Sequence, residues 1–184
     1  EWYPGVLYSQ GHSSEIVMVD LQGSRLATME PLKALELTEQ VLMMGFHCTR
    51  IDLAVDHVHQ GVDLYAKALS SCEAGELCFM RRYSPDPEFD SHGTPLRKLL
   101  KLGKRDSEVC ARIYDKGLET GLLPEGEWER FEVEIKGDRA REVCLLLVLA
   151  FDQFNDQLWE IVIGSVDFRI CNSRSELKRR PRAQ

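Results

Sequence analysis

Apolar and polar positions alternate in three separate stretches of the chain. In RIDLAVD (Arg50–Asp56), Ile51, Leu53 and Val55 alternate with Arg50, Asp52, Ala54 and Asp56. In CARIYDK (Cys110–Lys116), Ala111 and Ile113 alternate with Cys110, Arg112, Tyr114 and Lys116. In WERFEVEIK (Trp128–Lys136), Phe131, Val133 and Ile135 alternate with Trp128, Arg130, Glu132, Glu134 and Lys136. Residues two apart on a strand share a face, so each stretch predicts a strand with one apolar and one charged side.

Other segments follow from period and punctuation. Strands are expected at Trp2–Ser9, Glu15–Asp20, Cys48–Asp56, Glu76–Tyr83 and Glu160–Ile170, with a turn at Gln22–Ser24. Helical spacing places helices at Pro31–Met44, Gly61–Ser71 and Ala140–Ala150, the last capped by Asp138, with a short one from Asn155. Tyr83–Pro95 holds three prolines and a glycine and reads as a loop that borders the site or moves. Leu96–Leu102 and Val109–Lys116 read as a strand pair around Gly103–Ser107. Several strands follow one another directly, which predicts an α+β domain: a mixed, mainly antiparallel sheet with helices packed on one face.

Length and composition add limits. A chain of 184 residues with 43% hydrophobic and 29% charged content fits one globular domain and excludes disordered and collagen-like classes. The longest apolar run, Val143–Phe151, is about half the roughly 20 residues of a membrane span. The six cysteines show no Cys-x-x-Cys spacing, so reduced, mostly buried thiols in a cytoplasmic protein are expected. The chain opens on Glu1, without a signal peptide, and its basic end reads as cut; a piece of a longer protein is expected. Residues 1–175 are read as the working domain and 176–184 as a basic tail or linker.

Net charge is −7, yet the charge is uneven. Residues 97–105 carry Arg97, Lys98, Lys101, Lys104 and Arg105 and no acid. A nucleic-acid surface needs local rather than total positive charge. Alternation gives this segment no clean apolar face, so an edge strand or a hairpin in solvent is expected, with Lys104 and Arg105 at its tip. The three charged strand faces combine carboxylates, arginines and a tyrosine. Carboxylates suit a hard divalent cation, arginines suit phosphate oxygens, and a tyrosine beside both has the chemistry of a nucleophile. Alternation alone does not make the three strands neighbours.

TRIDLAVD (Thr49–Asp56), ARIYDKGLETG (Ala111–Gly121) and WERFEVEIKGDRA (Trp128–Ala140), in this order and spacing, resemble the replication initiation factor family. That family comprises rolling-circle initiators of plasmids and filamentous phages and related relaxases of integrative elements. VDLQGSR (Val19–Arg25) resembles the strand and glycine turn before its first motif. LKLGKRDSE, ending at Glu108, looks like its LGSRKS-type segment, and VDFRI from Val166 resembles the start of its downstream region. The resemblance spans roughly residues 1–175.

It implies a nicking and strand-transfer enzyme whose tyrosine attacks one phosphodiester at an origin. The tyrosine stays joined to the 5′ phosphate and a 3′ hydroxyl is freed. A divalent cation, Mg²⁺ or Mn²⁺, is implied, with origin DNA, a second copy of the chain and a host helicase as partners. Tyr114, inside the matching motif, takes the nucleophile's place, with Arg112 and Lys116 beside it. Asp52, Glu132 and Glu134 are the metal candidates, resting mainly on their shared face. Arg50, Arg97, Lys101, Lys104, Arg105 and Arg130 are the DNA-binding candidates. Tyr114 is expected close to Asp52 or Glu132; Tyr83, Tyr65 and Tyr8 follow as alternative nucleophiles.

The chain departs from other nicking enzymes. His57-Val58-His59 looks only superficially like the histidine pair of HUH endonucleases, and no Tyr-x-x-x-Lys follows, since Leu118 stands four residues after Tyr114. A non-catalytic DNA-binding module of the same ancestry and an acidic protein-interaction domain are the other readings.

Overall fold

The computed structural model describes residues 6–10, 17–21, 23–26, 28–59, 61, 63–76, 80 and 82–165. The basic tail, the VDFRI segment and most of the expected Glu76–Tyr83 strand lie outside them. A two-stranded ribbon pairs β1 (Val6–Gln10) with β2 (Val17–Leu21). A short helical turn, α1 (Gly23–Leu26), follows where a simple turn is expected.

The core is a five-stranded sheet in the order β3 (Arg50–Val58), β9 (Trp128–Lys136), β8 (Val109–Asp115), β7 (Leu99–Leu102) and β4 (Tyr83–Pro85). Every neighbouring pair is antiparallel. The three strands with alternating charge are thus adjacent, β3 beside β9 beside β8. Their apolar faces form one surface, from Leu53 through Val133 and Ile135 to Ala111 and Ile113, continued by Leu100 and Leu102.

Helices cover that surface: α2 (Pro31–Met43), α3 (Leu64–Glu73), α5 (Gly137–Leu149) and α6 (Phe154–Ser165). A short α4 (Lys116–Thr120) caps the end of β8. Burying a leucine or isoleucine side chain here stabilises by about 1.5–3 kcal/mol. Helices on one face only leave the other face of the sheet free for its charged residues. Among the described residues no helix is long and apolar enough to cross a membrane, and the four described cysteines are free thiols.

Several local expectations are corrected. Tyr83–Pro95 is not a plain loop: it contributes the edge strand β4 and half of a ribbon, β5 (Glu88–Phe89) with β6 (Pro95–Arg97). The basic segment is not a solvent hairpin throughout, because β7 lies inside the sheet with Leu100 and Leu102 fully buried. Residues 160–165 are helix, not strand. Asp138 lies within the first turn of α5, whose N-cap is Lys136 without a side-chain cap.

Two buried carboxylates fix the ends of helices near the site. Asp115 accepts from Leu118 N at 2.8 Å, capping α4, and from Gly126 N at 2.7 Å. Glu129 accepts from the backbone N–H groups of Leu64 and Tyr65 at the start of α3. Burial pushes the Glu129 carboxyl above its usual range, opposed by those two donors.

Candidate active site

Register builds the charged face row by row. The row nearest the end of β8 runs Asp56, Arg130, Tyr114 and Leu99 across β3, β9, β8 and β7. The next holds Ala54, Glu132, Arg112 and Lys101; the third holds Asp52, Glu134 and Cys110. Directly opposed residues project to the same side, so these side chains meet above one sheet.

Tyr114 donates its hydroxyl proton to Glu132 Oε2 at 2.9 Å. Arg112 bonds the other oxygen of that carboxylate at 2.5 Å. Burial first, and then the Glu132 charge, hold the Tyr114 hydroxyl well above the ordinary tyrosine range, so it is protonated and donating. Arg130 holds Asp56 in a fork, Nε to Oδ1 at 2.7 Å and Nη2 to Oδ2 at 2.8 Å. Lys116 is the first residue of α4 rather than part of the strand, and its Nζ lies 5.6 Å from the centre of the Tyr114 ring, paired with Glu119. A cleft of about 310 Å³ opens beside Tyr114, with Arg97, Leu99, Arg112, Glu119 and Glu132 in its wall.

The carboxylates expected to bind metal are arranged otherwise. Asp52 forms a two-point pair with Arg50, at 2.9 and 2.6 Å. Glu134, almost fully buried, meets Arg50 at 2.8 Å and Lys136 at 2.6 Å. Glu132 is held by Arg112 and Tyr114. Among the described residues no group of three His, Cys, Asp or Glu side chains converges to hold a metal ion. As these side chains stand, the donor set does not fit a divalent cation. Asp52 lies on β3, in the row beyond that of Glu132, so the expected proximity to Tyr114 holds for Glu132 and not for Asp52.

The DNA-binding candidates divide. Arg50 and Arg130 sit on the charged face beside their carboxylate partners. Arg97, at the end of β6, pairs with Asp86 at 3.1 Å and reaches the cleft. Lys101 also pairs with Asp86, at 2.7 Å. Lys104 and Arg105 are exposed in the β7–β8 turn, and their side chains make no ion pair among the described residues. Lys98 is drawn away from this face by Asp63 at 3.6 Å and Glu125 at 2.5 Å.

The alternative nucleophiles are removed from the site or undescribed. Tyr65 is buried in the core. Tyr83 is opposite Leu102 and therefore shares the helix-covered side. The Tyr8 side chain lies outside what is described. His57, opposite Glu129, also falls on the helix side, away from Tyr114, so the histidine pair does not join the site. Asp56 and Glu119 had no assigned role from sequence. The shared alternation with Asp52 signals the first, and the i,i+3 spacing from Lys116 the second.

The family model described as "Replication initiation factor" matches residues 46–183. No curated protein is similar enough in sequence to match. A solved structure titled as the rolling circle replication initiator protein from Geobacillus stearothermophilus has a similar fold, with TM-score 0.69 and 22% identity, over 99% of this chain and 71% of that one.

Proposed function

The chain belongs to the replication initiation factor family, and from that premise we propose that it starts rolling-circle replication by nicking one DNA strand at an origin. Tyr114 is the attacking group. The observation that carries this reading is its hydroxyl, hydrogen-bonded to a carboxylate beside a cleft that also holds two arginines.

The chemistry follows from these positions. A tyrosine with a raised proton affinity needs a base at the moment of attack, and Glu132 already accepts its proton. The phenolate oxygen bonds to phosphorus, the bond from phosphorus to the 3′ oxygen breaks, and that oxygen takes a proton from water. Arg112 and Arg97 supply positive charge where the phosphoryl oxygens gather negative charge. Glu132 keeps the proton and returns it to the tyrosine when the strand is rejoined. Lys116, over the face of the Tyr114 ring and paired with Glu119, holds the ring in place beside the cleft.

The divalent cation of the family resemblance remains a proposal with a stated cost. Glu132 and Glu134 would have to exchange Arg112, Arg50 and Lys136 for it. A hard cation, once bound, would neutralise charge on the phosphate. Origin DNA is the substrate of this reading, with a second copy of the chain and a host helicase as further partners.

The test is a supercoiled plasmid carrying the genomic segment that encodes and flanks this chain, incubated with Mg²⁺, with Mn²⁺ or with chelator. Nicked circles carrying protein on the 5′ end are expected. Unnicked plasmid under all three conditions, with salt-sensitive retention on DNA, would leave only a DNA-binding module.

A further inference from the structure

We propose that Arg130 is a catalytic residue that meets the developing charge on the Tyr114 oxygen, with Asp56 as its positioning residue, and that Arg130 does not bind a DNA phosphate. The inference rests on the reading of Tyr114 as the attacking group. It reassigns an arginine whose residue type alone suggests phosphate binding.

Three observations carry it. First, Asp56, Arg130 and Tyr114 occupy one row across β3, β9 and β8, so the arginine stands between the carboxylate and the tyrosine. Second, the Asp56 fork fixes the guanidinium plane through Nε and Nη2 and leaves the Nη1 donors outside the fork. Tyr114 stands directly opposite Arg130 in the β8–β9 register, so the two side chains project side by side above the sheet. Third, Arg130 is closed in. Its side chain is 22% exposed, against 39% for Arg112 and 52% for Arg50. The Trp128 ring lies 5.9 Å from its Cζ. An arginine free to take up a phosphate needs an open approach, which Arg112 and Arg97 have at the cleft and Arg130 lacks.

The two neighbours of the tyrosine oxygen then divide the work. Glu132 takes the proton as the O–H bond breaks. Arg130 balances the charge left on oxygen until the bond to phosphorus forms. A donor fixed before the reaction needs no reorganisation during it, and removing such a donor costs about 10²–10³ in rate. The Asp56 pair provides that fixation, since a long arginine side chain otherwise loses rotamer freedom on binding.

The test compares the full chain with Arg130→Ala, Arg130→Lys, Asp56→Asn and Tyr114→Phe. Covalent-adduct formation on the plasmid described above is followed in a single turnover. Binding to an oligothymidylate of about 30 nucleotides is followed against salt. Expected for Arg130→Ala is a rate lower by about 10²-fold, partly restored by millimolar guanidinium, with an unchanged salt slope. Arg130→Lys should stay slow, because one ammonium cannot reproduce the fork. Asp56→Asn should slow the step by about 10-fold while leaving the salt slope intact, and it is the informative variant if Arg130→Ala does not fold. A salt slope reduced by about one unit, with rate falling only as binding falls, would make Arg130 a phosphate ligand and overturn the proposal. Full adduct rates in both Arg130 variants would also overturn it. Adduct formation by Tyr114→Phe would instead overturn the choice of nucleophile, a separate outcome read in the same assay.

Discussion

Tyr114 and Glu132 meet diagonally across β8 and β9: the hydroxyl reaches the carboxylate at 2.9 Å although Tyr114 is opposite Arg130 and Glu132 is opposite Arg112. The diagonal contact puts an acceptor at the tyrosine oxygen without removing either arginine from its own strand partner. It also explains why the face remains compatible with an acidic chain, because each of its carboxylates already sits beside a cation.

Tyr114→Phe keeps the ring and its packing and removes only the oxygen. The expected outcome is a folded chain that binds DNA with unchanged salt dependence and forms no covalent adduct. Denaturing gel analysis of nicked plasmid decides it: an adduct that persists in the variant places the nucleophile elsewhere.

Glu132→Gln keeps the shape of the acceptor but cannot take up a proton. Adduct formation should slow by about 10²–10⁴-fold, the usual contribution of a positioned base. DNA affinity should hold or rise slightly, since a negative charge leaves the face. An unchanged single-turnover rate would remove Glu132 from the mechanism.

Lys104→Ala with Arg105→Ala acts on exposed cations of the β7–β8 turn. Binding should weaken broadly across sequences, and the slope of log affinity against log salt should fall by about one to two units. Fluorescence anisotropy at several salt concentrations measures it, and an unaltered slope assigns the turn to solubility.

Asp56→Asn reports on the pH dependence of stability. Burial would raise the Asp56 carboxyl, but the Arg130 fork and the Trp128 indole outweigh it and hold the group below its usual range. That indole N–H is buried and makes no hydrogen bond of good geometry, so the fork is the firmer cause. A carboxyl depressed in the folded state contributes stability that is fully present above its unfolded pKa of about 3.9 and is lost as pH falls through the lower folded value. The wild-type chain should therefore exceed Asp56→Asn in urea midpoint at neutral pH, with the gap closing in acid. A gap that stays constant from pH 7 to acid would disprove the linkage.

Gly117→Ala tests the support of the site from below. A Cβ there would meet Leu123 O at 2.9 Å and both Asp115 Oδ1 and Pro124 O at 3.2 Å, two of the three being backbone. Relieving such overpacking typically costs about 1–3 kcal/mol. Asp115 caps α4 and adjoins Tyr114, so thermal melting temperature and adduct rate should fall together. A variant as stable as the wild type would show that the 123–124 segment yields freely.

Much of the site was legible in the chain because strand alternation is a local rule. Arg50, Asp52, Asp56, Arg112, Tyr114, Arg130, Glu132 and Glu134 fall on one set of positions however the strands are arranged, and the helix-covered apolar face follows from the same rule. Local pattern misled where two periods fit one segment. WEIVIG is rich in β-branched residues and reads as strand, yet Phe154, Leu158, Ile161, Val162 and Ser165 form a helical stripe. The apolar members of that stripe pack on the core, and burial against the sheet outweighs propensity. Lys116 continues the alternation of β8 on paper, but the Asp115 cap turns the chain into α4 at that residue.

By itself, then, the sequence determined which side chains share a face and what chemistry they bring. Only the tertiary structure decided which of them touch. Pairing across β3, β9 and β8 joins residues from 14 positions apart (Asp115 and Glu129) to 86 (Arg50 and Lys136), and register is set by how the whole apolar face packs under the helices. That register gave Glu132 to Tyr114 and Arg112 and Asp56 to Arg130, whereas Asp52 meets Arg50 two residues away on its own strand.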